Sequence, residues 1–344
     1  MQPGIYRNLP NDAYHGGPGD SKSSLDLLRK SPALLRAVKL GQRGRESTKS
    51  QLLGTSIHAM VLEPDLVART YALPFIAPDG ALATMDHMKA ALAAAGIEFK
   101  SSTNKGGLEA LVREHLPDAH LLTDLRAAYD CANTGKVIIE SAEWARLESM
   151  LAAVRAHPAA MKLLSGAGEA ELSCYWRCPV IDPETGEEMR EGDGSPADLL
   201  LRCRPDYWRH DGIIVDLKST APGGASPAEF SRSVFKWRYY VQHSLYLCGA
   251  GAALAASGDD FSDFAPPHSF VFVVVETDAC VVDGEAMGVA TYVLDPDSVQ
   301  LGQLHTAEDV ASLWRCYRSG KWPGYSARIE SVSLPGYAFP RIAA

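Results

Sequence analysis

The chain lacks any apolar run approaching the ~18 residues that a membrane-spanning helix needs, and its first residues, MQPGIYRNLP, lack the charged-then-apolar layout of a secretory signal. Both absences predict a protein that stays in the cytoplasm. Cysteine is sparse: Cys131, Cys174, Cys178, Cys203, Cys248, Cys280 and Cys316 are odd in number and scattered, with no CxxC pair. That excludes a disulfide framework, a zinc knuckle and a redox motif, and leaves reduced, mostly buried thiols. Positive charge is also short, 33 Lys and Arg against 42 Asp and Glu for a net charge of −9. A surface coated for nucleic-acid binding is therefore excluded.

What is present is enough apolar material, 46% of 344 residues, to bury one large core or two modest ones. One domain with insertions, spanning 1–344, is expected. The charge is uneven along the chain, because residues 1–50 hold nine Lys/Arg against four Asp/Glu. A local basic face on an acidic protein suits an enzyme that grips a polyanion at one place; the plainer explanation is a solvated surface with chance clustering.

Helical spacing of apolar residues predicts a helix over SLDLLRKSPALLRAV behind a capping serine, and another over TKSQLLGTSIHAMVLEP, ended by Pro64 and carrying His58. Between 80 and 120, MDHMKAALAAAGIEFKSSTNKGGLEALVREHLP reads as helix, polar loop and helix. This resembles the small helix–extended-loop–helix (HeH, SAP-like) modules of nucleic-acid proteins, as any alanine-rich helical pair does. A further helix is expected over SAEWARLESMLAAVRAHPAAMKLL.

After Gly168 the pattern changes to strands: ELSCYWRCPV, LLLRCRPD and GIIVDLKS, with a polar excursion over 181–197. A long amphipathic helix, SPAEFSRSVFKWRYYVQHSLYLCGA, follows, then the buried strand SFVFVVVET, the strand ATYVLDP and a closing helix over AEDVASLWRCYRSG. This order predicts an α/β or α+β core, a mixed sheet flanked by helices, with 160–300 as its catalytic part.

Chemistry concentrates in RCRPDYWRHDGIIVDLKST. Asp211-Gly212 signals a turn, which predicts adjacent antiparallel strands over 199–204 and 213–218. Asp216 and Lys218, two apart on a strand, then point to one face. Burying both is costly unless something compensates the charge. Asp206, past the end of the neighbouring strand, brings a second carboxylate to the same place. Two hard oxygen ligands with room for water suit Mg²⁺. A lysine beside that ion can orient or deprotonate an attacking water and stabilise the charge of phosphodiester cleavage. An Asp–Lys ion pair on a solvated strand explains Asp-x-Lys alone; with Pro205-Asp206 upstream the balance reverses.

Pro205-Asp206 with Asp216-Leu217-Lys218 resembles the PD-(D/E)XK nuclease signature. GIYRNLPNDAYH, SKSSLDLLRKSPALL, GTSIHAMVLEP and KWRYYVQHSLYL make nearly the whole chain similar to the exodeoxyribonuclease VIII (RecE-type) nuclease domain of phage and prophage recombination systems; 80–120 and 181–197 match least. The resemblance implies a PD-(D/E)XK, restriction-endonuclease-like fold with catalytic Asp206, Asp216 and Lys218. Its metal ligands would be His58, Asp206 and Asp216, for Mg²⁺ with Mn²⁺ able to substitute. Gln242 and Tyr246 match a Gln-x-x-x-Tyr helix near the site, and Glu171 matches a glutamate that touches the metal directly or through water. Arg232, Lys236 and Arg238 precede that pair as DNA-binding candidates. Trp237, Tyr239 and Tyr240 add rings that could stack on the bases of a frayed end or simply fill core.

The resemblance further implies 5′ to 3′ degradation of double-stranded DNA ends, a RecT-like single-strand annealing partner and a ring-shaped homo-oligomer. The alternatives are a Cas4- or RecB-like nuclease acting on single strands, the former disfavoured because the four clustered cysteines of its iron–sulfur site are missing, and a non-catalytic DNA-binding protein retaining the fold.

Overall fold

The computed structural model describes residues 1–43 and 49–333; Thr48, at the start of the second expected helix, Arg45 and the chain's last residues lie outside them. In chain order the elements are β1 (Gly4–Tyr6), α1 (Asn11–Gly16), α2 (Lys22–Lys30), α3 (Pro32–Lys39), α4 (Lys49–Leu62), α5 (Pro64–Thr70), β2 (Tyr71–Ala72), α6 (Met85–Ala94), α7 (Lys105–His115), α8 (Leu122–Ala132) and β3 (Val137–Ile138). There follow α9 (Ser141–Ala156), α10 (Pro158–Leu164), β4 (Gly168–Ala170), β5 (Ser173–Pro179), β6 (Asp198–Cys203), β7 (Tyr207–Arg209), β8 (Ile213–Thr220), α11 (Pro227–Lys236), α12 (Tyr239–Ala255), β9 (Ser269–Val282), β10 (Glu285–Tyr292) and α13 (Pro296–Ser319).

The centre is a mixed five-stranded sheet of order β10-β9-β8-β7-β4, beside a three-stranded sheet β1-β5-β6. β8 and β9 run parallel, with Asp216 level with Phe272, and α11 and α12 form the crossover between them. Alternation sorts the sheet's two faces. Ile214, Phe270, Phe272 and Val274 pack against Leu245 of α12 and Val310 and Leu313 of α13. Val215, Leu217, Val273 and Val275 pack against Ile57 of α4 and Leu147 and Met150 of α9. Each fully buried residue of this kind contributes about 1.5–3 kcal/mol, so the sheet is fixed from both sides.

Three expected helices are each broken in two. Proline ends two of them, at Ser31-Pro32 and His157-Pro158, because Pro32 and Pro158 open new helices where a missing N–H costs nothing. The third breaks at Trp237-Arg238, where Arg238 has φ +56°. The expected pairing of 199–204 with 213–218 is also corrected. β6 pairs with β5, Cys174 opposite Cys203, while β8 takes the short β7 as its antiparallel neighbour. The Asp211-Gly212 turn is real but joins β7 to β8. Gly212, at φ +86°, supplies the left-handed residue that closes this three-residue hairpin.

Residues 82–121 carry a small core of their own, in which Met88, Leu92, Leu108 and Val112 are fully buried between α6 and α7. Thr84 and Asn104 cap the two helices, accepting from the backbone N–H groups of His87 and Gly107. The parallel pair β2 and β3 closes the base of this excursion.

Candidate active site

Two strand pairs cross together from one sheet to the other, and the site lies at their crossing. β4 pairs with β7 in the larger sheet, and their continuations β5 and β6 pair in the smaller. Glu171 occupies the first crossing and Asp206 the second; the Glu171 N–H donates to the Asp206 carbonyl at 3.1 Å. Glu171 is thus on a bend rather than on the strand expected for it. Its φ of +54° is a left-handed conformation that a residue with a long side chain adopts only when its surroundings impose it.

β7 stops pairing with β8 at Val215. The next N–H on that edge, Leu217, would be orphaned, and the Asp206 carboxylate accepts it at 2.7 Å. That bond sets Asp206 against the strand carrying Asp216 and Lys218. Those two share the α12 face of the sheet, as the strand period requires. The Lys218 ammonium lies 2.5 Å from Asp216, and Gln242 of α12 donates to the other Asp216 oxygen at 2.5 Å. α4 delivers the imidazole: His58 Nδ1 stands 3.4 Å from Asp206. Gly54, one turn earlier, lets this helix approach, because a Cβ there would meet Ser219 of β8 at 3.2 Å.

Burial dominates the electrostatics. It pushes the Glu171 carboxyl up to about 8, with Asp206 adding to the effect. It also pushes buried Asp216 up to about 6, Lys218 pulling the other way. For Lys218 burial acts downward, yet the Asp216 and Asp206 carboxylates outweigh it and the ammonium ends near 12. Two cations face these carboxylates, Lys218 paired with Asp216 and the Arg204 guanidinium 4.0 Å from Glu171, and Arg204 does not offset the burial that raises Glu171.

His58, Glu171 and Asp206 each present a ligand atom, all within 4.8 Å of one another. One imidazole with carboxylate oxygens is a donor set that Mg²⁺ or Mn²⁺ accepts, and a cation there would offset the burial and the smaller Asp206 repulsion that raise Glu171. Asp216 stands beside this trio, its carboxylate occupied by Lys218 and Gln242. The site opens into a cleft of about 1360 Å³ lined by Glu171, Lys218, Gln242, Tyr246, Tyr239 and Lys22, among others.

The remaining candidates separate. Tyr246 lies in the cleft wall against Phe270. Tyr240 is buried and Tyr239 half-buried beneath the Lys218 ammonium, 4.7 Å from its ring. Arg232 and Lys236 are exposed on α11, Arg232 paired with Glu229. Arg238 points inward, held by Asp309 and Asp26, so its charge serves the fold rather than the surface. Two cations went unassigned in the sequence. Arg204, immediately before Pro205-Asp206, is buried and bonds Ser173, Asn11 and the Leu9 carbonyl, tying the chain's start to the crossing. Lys22, within SKSS, lines the cleft, pairs with Asp26 at 2.7 Å and is pulled down by burial. A lysine amid serines ahead of a helix was the available signal.

A mixed sheet with Asp-x-Lys on a central strand and an aspartate at the end of its antiparallel neighbour defines a PD-(D/E)XK, restriction-endonuclease-like fold. Residues 21–335 match the family described as PDDEXK-like domain of unknown function (DUF3799). The chain belongs to that family, and through it to the PD-(D/E)XK nuclease superfamily. No curated protein matches it. Among solved structures, a candidate exonuclease from Eubacterium rectale is similar over 97% of each chain, at 12% identity and a TM-score of 0.47. Among the described residues no helix is long and apolar enough to cross a membrane.

Proposed function

We propose that this protein is a metal-dependent deoxyribonuclease that acts on double-stranded DNA ends and degrades one strand from 5′ to 3′, leaving 3′ tails for strand annealing. The observation that supports phosphodiester hydrolysis is the grouping of His58, Glu171 and Asp206 beside the buried Asp216–Lys218 pair, with Glu171 and Lys218 lining an open cleft. The polarity, the duplex preference, a RecT-like annealing partner and a ring-shaped homo-oligomer rest on the resemblance to RecE-type domains, and a bacterial cytoplasm as the working compartment goes with them.

His58, Glu171 and Asp206 would hold the cation, with Asp216 at its side; Mg²⁺ is the choice for carboxylate oxygens, and Mn²⁺ substitutes because of the imidazole. When bound, such an ion supplies Lewis acidity and lowers the pKa of coordinated water. Lys218 enters as a cation, because its ammonium is held by two carboxylates. It donates to the attacking water and to the phosphate, and opposes the negative charge that grows during cleavage. Gln242 fixes the Asp216 carboxylate so that Lys218 has one position. Tyr246 and Tyr239 shape the cleft wall, and exposed Lys236 and Arg232 draw in the phosphate backbone.

The test is incubation of linear duplex DNA, labelled at either end, with Mg²⁺ or Mn²⁺, beside an Asp216→Ala control. Metal-dependent release of nucleotides from the 5′ end is expected. Release from single strands alone would favour the RecB-like alternative, and DNA binding without cleavage would make the protein a binding module.

A further inference from the structure

We propose that the junction between α11 and α12 is a stacking platform for unpaired bases at a DNA end, formed by Phe235 and Trp237. This rests on the nuclease reading and adds a substrate-binding site to it. Both side chains face water, Phe235 being 71% and Trp237 51% exposed. A single exposed hydrophobic residue is ordinary, but this pair sits on a junction built to be rigid. Arg238 follows at φ +56°, in the left-handed region, and its guanidinium is tied to buried Asp309 and, at 3.3 Å, to Asp26. From the other side Lys22 donates to the Trp237 carbonyl at 2.5 Å while pairing with the same Asp26. The backbone is clamped from two sides, and the rings are left outside.

The position favours nucleic acid over other occupants. The next residue, Tyr239, lines the cleft, with the Lys218 ammonium 4.7 Å and the Lys22 ammonium 5.7 Å from its ring. The platform's backbone is joined to the cleft wall, because Lys22, which lines the cleft, holds the Trp237 carbonyl, and on this proposal a strand whose scissile phosphate reaches Lys218 continues over these rings. Lys236 lies 4.8 Å over the Trp237 ring, and exposed Arg232 is on the same short helix. The Phe235 ring lies parallel to Tyr240, 12° from coplanar, which braces it from behind. Aromatic faces edged with cations are what unpaired strands bind, since every base offers a face to stack on and every nucleotide carries a phosphate. Bases inside an intact duplex are already stacked, so the platform selects a frayed or tailed end.

The experiment compares wild type with a Phe235→Ala/Trp237→Ala double variant in metal-free buffer, where no cleavage occurs. Anisotropy gives the affinity for a blunt duplex and for one with a short unpaired tail, and 2-aminopurine in the tail reports stacking. The double variant is expected to bind the tailed duplex about tenfold more weakly, to leave blunt-end affinity unchanged and to release the 2-aminopurine quenching, while Trp237→Phe retains most of the wild-type affinity. Equal affinity of variant and wild type for the tailed duplex overturns the proposal, as does an equal loss on both DNAs. A changed oligomeric state with unchanged tail affinity also overturns it, by assigning the rings to a second copy of the chain. Metal-dependent cleavage of linear duplex by wild type, measured alongside, separates the two claims: cleavage without a tail effect rejects the platform alone, and absence of cleavage rejects the nuclease reading beneath it.

Discussion

The sheet crossing and the α6–α7 excursion are built on opposite terms. In the excursion most local preferences agree with the fold, two glycines in the first turn of α7 apart: side-chain caps at Thr84 and Asn104, fully buried Leu92 and Leu108, and an ion pair at 2.6 Å between Arg113 and Asp124 left in solvent. At the crossing almost nothing agrees. Glu171 is left-handed and raised, and Asp216 is a fully buried carboxylate whose lysine does not offset that burial. A chain folds most easily when its levels concur. Regions where they conflict are candidates for accommodating an outside group, and the metal site we propose lies in one of them.

The largest effect expected from breaking this contrast is at Lys218. Lys218→Ala should lower the rate of linear-duplex cleavage by about 10²–10³-fold, while calorimetric Mn²⁺ affinity stays near wild type. Asp206→Ala should remove both, because that carboxylate belongs to the proposed ligand trio. Normal cutting by the lysine variant would remove Lys218 from the chemistry. In the excursion, Leu108→Ala should cost about 2–5 kcal/mol of local stability, read by hydrogen exchange across α6 and α7, with cleavage per molecule unchanged. A parallel loss of cleavage would join that module to the site. Gln242→Ala should be milder, about tenfold in rate, the usual order for one hydrogen bond to a charged group, with metal affinity retained.

The smallest effect is a pH dependence whose sign differs between regions. The raised Glu171 carboxyl takes up a proton in the folded state more readily than in the unfolded chain, so this group lowers stability progressively as pH rises from about 4.5 to 8. Buried His243, pulled down to about 4, acts oppositely: its contribution is lost as pH falls from 6.5 toward 4. Between pH 6.5 and 8 Glu171 therefore acts without His243. Metal-free Tm should fall across that interval, and Glu171→Gln should flatten the slope. An unchanged slope in that variant would show that Glu171 is not the source.

Much of this was legible in the sequence because it is local. The period of two put Asp216 and Lys218 on one face, and the period of 3.6 put Gln242 and Tyr246 on one face of α12. The breaks at Pro32 and Pro158 were also written in the chain, although apolar spacing ran across them. The break at Arg238 was not, since a left-handed arginine has no compositional mark and is imposed by Asp309 and Asp26 from distant elements. Strand partnership is non-local in the same way. β6 alternates as well as any neighbour of β8 could, and only its pairing with β5 shows that the chain changes sheets at Pro205. That change is what brings Glu171, a secondary candidate by sequence, against Asp206.

The carboxylates at this crossing, with His58, are proposed to surround a divalent cation. Anomalous scattering from crystals soaked in Mn²⁺ would locate that ion. The predicted result is a single strong peak in contact with His58, Glu171 and Asp206, with Asp216 at its side. A map with no peak there, or with manganese bound only elsewhere on the molecule, would contradict it.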